Sequence, residues 1–436
     1  MTNTTPSGTT SGAGPRRAAL KLLRHVLDEG RPLDDGLEAA LKGLEGSDRA
    51  FARAIASTAL RNKGVIDHVT GQFLNSPLRR KAGGARHALL IGAAELLFLD
   101  TPPHAAVSEA VSLVHSDKLS AALSGVVNAV LRKVDTEGRA LLAELDSVQL
   151  NTPRWLWSRW EGQYGEARTR AIAQAHLAGA PIDLTVAGDP GLWAGRLDGE
   201  VLPIGSVRVS RTGDVTGWPG FREGAWFVQD MAASLPVRLM GDLADKTVLD
   251  LCAAPGGKTA QIAAAGAHTI AVDINQDRLE RVGENLARLN LDAELLCADI
   301  RELETEPADA VLLDAPCSAT GTIRRHPDLP WVKRPDDIKS LATLQADCLE
   351  AAAKLVKPGG VLVYCTCSLE RGEGEHQMSR FLKDHADFAV APVEKPEMPG
   401  LRSAITKEGF VRTLPSLLPD KGGMDGFFIA RLTKSR

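Results

Sequence analysis

TVLDLCAAPGGK, residues 247–258, is the stretch that decides the fold of this chain. Its opening is an apolar run of strand length, and the glycines after Pro255 break that run before a helix from Lys258. A strand, a glycine turn and a helix in that order begin a βαβ unit. The rhythm then repeats. TIAVD (269–273) leads into a helical stretch with Leu279, Val282, Leu286 and Leu289 on one face. AELLCAD (293–299), DAVLLDA (309–315) and GVLVYCTC (360–367) read as further buried strands, and GFFIARL (426–432) as a closing edge strand. Such alternation predicts a mainly parallel, doubly wound α/β sheet of the Rossmann-like class. Ligands of such sheets bind beyond the carboxyl ends of the strands.

Outward from this core the chain changes character. Residues 1–14 are Thr, Ser, Gly and Pro with little to bury, and are expected to be a disordered tail. Residues 15–135 are helical in pattern. Leu20, Leu23 and Leu27 share a face, and ALLIGAAELLFL (88–99) is apolar nearly all round, as in a helix at the centre of a bundle. Pro102-Pro103 ends that helix and begins the next, in which Val107, Val111 and Val114 recur. Residues 136–225 read as a small mixed α/β connector containing the short β-like run Ile182–Val186. Its Trp155, Trp157 and Trp160 are assigned to packing rather than to base stacking. Residues 226–436 hold the sheet.

Composition narrows the function. The 436 residues are 44% apolar, ample for several cores, yet no stretch has membrane length and no signal-like start is present. A cytoplasmic monomer with no membrane partner is expected. All six cysteines fall between Cys252 and Cys367, which is not a disulfide framework, and Cys365-x-Cys367 is poor zinc spacing, so no metal is expected. The net charge is −4, but residues 1–135 carry 17 Lys/Arg against 13 Asp/Glu, with Arg79-Arg80-Lys81 and Arg86 clustered there. Such a cluster suits phosphate contacts, although a solvated surface is the commoner fate.

The turn Cys252-Ala253-Ala254-Pro255-Gly256-Gly257-Lys258 offers close backbone approach and the free N–H groups of a helix start. It lacks both the Walker spacing and the dinucleotide fingerprint. Asp273, about twenty residues on, ends the second strand where a carboxylate can take two ribose hydroxyls. Asp299 is expected to end the third strand beside an adenine edge. Asp314, at the end of the fourth, borders the same crevice. This layout predicts S-adenosylmethionine as cofactor.

Asp314-Ala-Pro-Cys317-Ser318 and Thr366-Cys367-Ser368 each place a thiol at a strand exit. A pair of thiols beside a methyl donor points to carbon methylation of a pyrimidine. Cytosine C5 is a poor nucleophile until a thiolate adds to C6. A free thiol has a pKa of roughly 8.5, so the site must favour the thiolate. The reaction also needs an acid group at N3, for which Asp314 is suited, and a base for the C5 proton. Cys317 and Cys367 divide the nucleophile and elimination roles, and the chemistry alone leaves their order open. Cys297, Cys348 and Cys365 are assigned as small buried hydrophobes.

These residues resemble a family. Gln229-Asp230, Ala253–Lys258, Asp273, Asp299, Asp314–Cys317, Thr366-Cys367-Ser368 and Asp425-Gly-Phe-Phe428 are similar to the motifs of the RNA 5-methylcytosine methyltransferases of the NOL1/NOP2/Sun group. The resemblance implies that Cys367 attacks C6 and that Cys317 assists product release. The helical region is similar to the RNA-binding fold of the antitermination factor NusB, through Asp48–Phe51, Arg86–Leu99, Pro103–Glu109 and Val127–Arg132. A NusB-like bundle ahead of this catalytic domain implies a cytosine in 16S ribosomal RNA, single-stranded or flipped out, as the target. Methylation of a transfer RNA or 23S RNA cytosine is the neighbouring alternative, and a non-catalytic assembly factor the other. The chain departs from the pattern at Ala319, where the family has Gly, and at Asp183-Leu-Thr-Val186, where the family has Arg-Val-Asn.

Overall fold

The computed structural model describes residues 13–79, 82–211 and 213–436. They form two compact units: the chain up to Arg159 together with His326–Lys333, and Trp160–Arg325 together with Arg334–Arg436. Most of the expected tail, and Arg80 and Lys81 of the basic run, lie outside the described residues. Ala13 and Gly14 already belong to the first helix.

The first unit is a helical bundle of α1 (Ala13–Leu27), α2 (Leu33–Leu41), α3 (Gly46–Arg61), α4 (Lys63–Gln72), α5 (Gly83–Phe98), α6 (Pro103–Ser116) and α7 (Ser124–Glu144). α7 runs past residue 135, where the sequence places the end of the bundle. α5 is its axis because alanines and Gly92 let neighbours approach closely; a Cβ at Gly92 would stand 2.6 Å from Leu131 Cδ1 on α7. Glu95, fully buried on α5, is neutralised by a two-pronged pair with Arg16, at 2.9 and 2.6 Å. Residues 326–333 join this unit from far along the chain. Asp328 Oδ2 accepts the Leu33 N–H at 2.9 Å, and Trp331 Nε1–H donates to Leu60 O at 2.9 Å.

The second unit contains two sheets. β1 (Ile182–Val186), β2 (Gly199–Val201), β3 (Val207–Val209) and β4 (Trp226–Val228) form an antiparallel sheet in the order β2-β3-β1-β4, packed on Trp193, Trp218 and Trp226. Asp183, at the connector departure, is fully buried and holds Arg208 through two bonds of 2.6 and 2.7 Å. Trp160 is fully buried here, its Nε1–H donating to Glu370 at 3.1 Å, and Trp157, in the first unit, is buried as well, so both are packing residues.

The larger sheet comprises β5 (Thr247–Leu251), β6 (His268–Asp273), β7 (Glu294–Cys297), β8 (Ala308–Asp314), β9 (Val356–Thr366), β10 (Phe388–Val390), β11 (Val411–Arg412) and β12 (Phe428–Lys434). Its order is β10-β12-β9-β8-β5-β6-β7, with β11 on β12. β5 to β9 are parallel, and β12 enters antiparallel beside β9. From β5 the chain winds outward to β7 and then returns to β8 on the other side, so the crevice opens at the carboxyl ends of β5 and β8.

Two strand expectations are corrected. GFFIARL is not an edge: β12 lies between β9 and β10, with Phe428, Ile429, Ala430 and Leu432 fully buried. AELLCAD is not buried: β7 is the edge, and Leu295 and Cys297 are exposed.

Candidate active site

β5 delivers the glycine turn to the crevice. Cys252 leaves the strand in the left-handed region at φ 62°, and Ala253 N–H is held by Val272 O at 3.0 Å. Gly256 has φ 96°, and a Cβ there would lie 2.9 Å from Val282 Cγ1, so both backbone shape and space demand glycine. The helix Gly257–Ala264 then begins with its N–H groups at the crevice. Burial pushes the Cys252 thiol well up, leaving it an inert lining group.

Asp273 ends β6 as expected. Only 3% exposed, it braces the turn: Oδ2 accepts Ala254 N–H at 3.1 Å and Oδ1 accepts Asn275 N–H at 3.0 Å. Next to it Ile274 is 66% exposed. A Cβ-free cradle, a carboxylate and an exposed apolar side chain fit the phosphate-free adenosine and amino-acid parts of S-adenosylmethionine. Asp299 follows the carboxyl end of β7, two residues after Cys297, and its carboxylate is held by Arg301 at 3.0 Å from Nε and 2.5 Å from Nη2.

The thiols meet on the other side of the switch point. β8 and β9 run in register with Asp314 beside Cys365, so the next turns bring Cys317 Sγ to 3.4 Å from Cys367 Sγ. The hydrogen bond to Cys367, with burial, pushes the Cys317 thiol well above the ordinary range. Asp314 Oδ2 pairs with Lys258 Nζ at 2.7 Å, and Oδ1 accepts the Cys365 thiol at 3.4 Å. Burial works against the Lys258 charge, but Asp314 outweighs it and raises the pKa. The structure thus gathers Lys258, Asp314, Cys317 and Cys367, while Asp273 stays with the cofactor turn. Cys365 and Cys348 are buried as expected, whereas Cys297 is exposed on the edge strand.

The loop after Cys317 is fixed by close backbone packing. Gly321 N–H donates to Cys367 O at 3.0 Å, and its own carbonyl accepts Gly426 N–H at 2.8 Å. A Cβ on Gly321 would collide with the Gly426 carbonyl. Gln229 and Asp230 support the site from behind. Gln229 Nε2 donates to Gln261 on the cofactor helix at 2.7 Å, and Asp230 caps the helix Met231–Arg238 while pairing with Arg325 at 2.5 Å. Asp425 takes Arg325 Nε at 3.0 Å and Arg324 Nε at 3.1 Å. The motif acids outside the strand ends therefore build the frame. Among the described residues no helix is long and apolar enough to cross a membrane, and no group of three His, Cys, Asp or Glu side chains is placed to hold a metal.

Sequence reasoning missed Glu373, a fully buried acid beneath both thiol loops. Its proximity to Thr366-Cys367-Ser368 in sequence was the available signal.

Comparison with known proteins agrees with this geometry. Residues 239–433 match the family model described as 16S rRNA methyltransferase RsmB/F, and residues 13–136 match that of the NusB family. The chain is 35% identical to ribosomal RNA small subunit methyltransferase B of Vibrio vulnificus, over 96% of this chain and 99% of that protein. It is 37% identical to the Xylella fastidiosa protein of the same name, over 97% and 98%. A crystal structure named PH0851 superposes with a TM-score of 0.77 at 27% identity, covering 98% of this chain and all of that one. Relatives of this identity over nearly the full length, joined to a helical bundle and a glycine-turn sheet, mean that the chain belongs to the RsmB/F family of 16S ribosomal RNA methyltransferases, with S-adenosylmethionine as its cofactor.

Proposed function

We propose that this chain methylates C5 of a cytosine in 16S ribosomal RNA through a covalent bond between Cys367 Sγ and C6. The observation that carries the reading is the 3.4 Å contact between Cys317 and Cys367. Either sulfur can donate in that contact, and the contact together with burial raises the Cys317 thiol. The choice of Cys367 as the attacking sulfur rests on the resemblance of Thr366-Cys367-Ser368 to the family's nucleophile motif. When bound, S-adenosylmethionine supplies an electrophilic methyl group.

Attack by Cys367 forms the S–C6 bond and moves electron density to C5, which takes the methyl. Asp314, expected from the sequence as the acid at N3, is paired with Lys258 and in this reading accepts from the cytosine 4-amino group instead, while the Lys258 ammonium faces the charge that builds on the ring. Loss of the C5 proton to water restores the C5–C6 double bond and expels Cys367. Cys317 S–H then stabilises the departing thiolate, which is its part in product release. The target base must leave its stack to meet two thiols at strand exits.

The test uses the full chain, S-adenosylmethionine and unmethylated 16S RNA, with bisulfite sequencing as the readout. Wild type is expected to give 5-methylcytosine at one position and Cys367→Ala none. Cys317→Ala is expected to accumulate a protein–RNA adduct that survives a denaturing gel. An active Cys367→Ala protein, or methylation of a ring other than cytosine, would sink the proposal.

A further inference from the structure

We propose that Glu373 is the positioning residue of the site, a single buried carboxylate from which both thiol loops are hung. This rests on the reading above that Cys317 and Cys367 act as a pair. Glu373 is fully buried on the turn that follows β9. Oε1 accepts Ser318 N–H at 2.9 Å and Gln345 Nε2–H at 2.9 Å. Oε2 accepts the hydroxyls of Ser318 and Ser368, each at 2.5 Å. Four donors match the four lone-pair positions of a carboxylate.

The identity of the donors gives the network its meaning. Ser318 directly follows Cys317, and Ser368 directly follows Cys367. Gln345 Nε2 also reaches Pro316 O at 2.8 Å, so the backbone on both sides of Cys317 is tied to this one network. The turn bearing Glu373 is itself anchored, because Tyr364 OH and Thr366 Oγ1 donate to its carbonyl at 2.8 and 3.2 Å. Thr320 Oγ1 closes the loop by accepting Leu369 N–H at 3.0 Å.

A buried carboxylate without a cation is costly, and among the described residues Glu373 makes no ion pair. An apolar side chain of similar volume would leave these buried donors without their carboxylate, so Glu373 serves the fold as well as the site. What a carboxylate adds is direction: four charge-assisted bonds fix two loops from two strands against each other. Its negative charge also helps keep Cys317 protonated, after the Cys367 hydrogen bond and burial. The site therefore holds its two thiols at contact distance through an acid buried beneath both loops.

The experiment compares wild type, Glu373→Gln, Glu373→Ala and Ser368→Ala, with Cys367→Ala as control. Initial rates on 16S RNA separate kcat from KM, and diamide-driven Cys317–Cys367 disulfide formation is followed by mass spectrometry without RNA. A displaced reacting group costs up to about 100-fold, so Glu373→Ala is expected to lose about that in kcat, and Glu373→Gln and Ser368→Ala about tenfold. KM for RNA and for S-adenosylmethionine should stay within about threefold, because uniform binding is untouched. Disulfide formation should slow about tenfold in Glu373→Gln as the thiols lose their effective concentration. Unchanged kcat and unchanged disulfide rate in Glu373→Gln and Ser368→Ala would overturn the proposal, even if Glu373→Ala fails to fold. A loss seen in KM alone would do the same. Were wild type to make no 5-methylcytosine, the cytosine reading would fall, while the disulfide rates would still decide whether Glu373 positions the thiols.

Discussion

Cys317 Sγ and Cys367 Sγ stand 3.4 Å apart although 50 residues separate them, each on the first turn beyond adjacent parallel strands. Sulfurs at this distance need only a small movement to reach the covalent length of about 2.05 Å. Diamide is therefore expected to oxidise the pair to a disulfide, with loss of two hydrogens in the intact mass, and to abolish methylation. Dithiothreitol should restore both. Cys317→Ala and Cys367→Ala should resist the mass change. If wild-type protein keeps full activity after diamide, the thiols do not approach each other in solution.

Gly321 supports the same contact from the backbone, between the carbonyl of Cys367 and the N–H of Gly426. Gly321→Ala forces backbone against backbone and is expected to cost about 3 kcal/mol of stability, at the upper end for overpacking. The activity of the folded fraction should fall as well. Ala319 presents the opposite case. It occupies the left-handed region at φ 57°, where a Cβ costs roughly 1–2 kcal/mol and Gly does not. Part of that relief is offset by the greater freedom of Gly in the unfolded chain, roughly 0.4–1 kcal/mol. Ala319→Gly should therefore raise stability slightly, by about 0–1.6 kcal/mol, with catalysis retained. Urea denaturation of the two variants measures both effects, and a stable Gly321→Ala would refute the packing.

The strands that carry these loops were legible because DAVLLDA and GVLVYCTC are apolar without interruption, the mark of burial on both faces. Which strand is an edge was not legible. AELLCAD and GFFIARL have similar runs, and only the return of β12 between β9 and β10 decides that Phe428 is buried and Leu295 exposed. Cys317, Cys367 and Asp314 could be read from chemistry, since strand exits are where ligands bind. Lys258 could be assigned to the cofactor turn, but not to Asp314, because that pair crosses from β5's turn to β8's end. Glu373 sits among polar residues that look like a solvated turn. Its burial comes from Ser318 and Gln345, 55 and 28 residues away. His326–Lys333 were likewise unreadable as part of the bundle, since Trp331 and Asp328 find their partners in α3 and at the start of α2 only in three dimensions.

Asp250 gives a pH-dependent prediction. It is fully buried on β5, accepts Thr259 Oγ1–H at 2.6 Å through one oxygen, and among the described residues has no hydrogen-bond partner for the other. Burial pushes its carboxyl up to about 7. The folded chain then binds this proton more tightly than the unfolded chain, so stability falls as pH rises from about 4 to about 7 and stays lower above that. Asp425 is also pushed up to about 7, by burial and then by Asp230, so the wild-type curve contains both groups and the Asp250 variant isolates one. Asp250→Asn resembles the protonated acid. Its melting temperature should match wild type near pH 4 and exceed it near pH 8. Parallel curves for the two proteins would mean that Asp250 titrates at its ordinary value.

Lys258 and Asp314 give the sharpest test of how the two halves of the crevice are joined. Their 2.7 Å pair is largely removed from solvent, with side-chain exposures of 11% and 27%. Removing one partner leaves an uncompensated charge in a partly buried site, which for a buried pair costs roughly 3–5 kcal/mol, and less here because Asp314 keeps some solvent. Lys258→Met and Asp314→Asn should each reduce kcat by about 100-fold, a loss expected where a charge stabilises a developing charge. Affinity for S-adenosylmethionine, measured by calorimetry, should change much less in Asp314→Asn, since the turn is held by Asp273 and Gly256 rather than by Asp314. The double variant should lose scarcely more than either single one, giving a coupling energy of about 2.7 kcal/mol, within the range for residues in contact. Multiplicative losses would show that the two groups act on separate atoms. In that case Asp314 would recognise the base without help from Lys258, and the cofactor turn would not be wired to the cytosine through this pair.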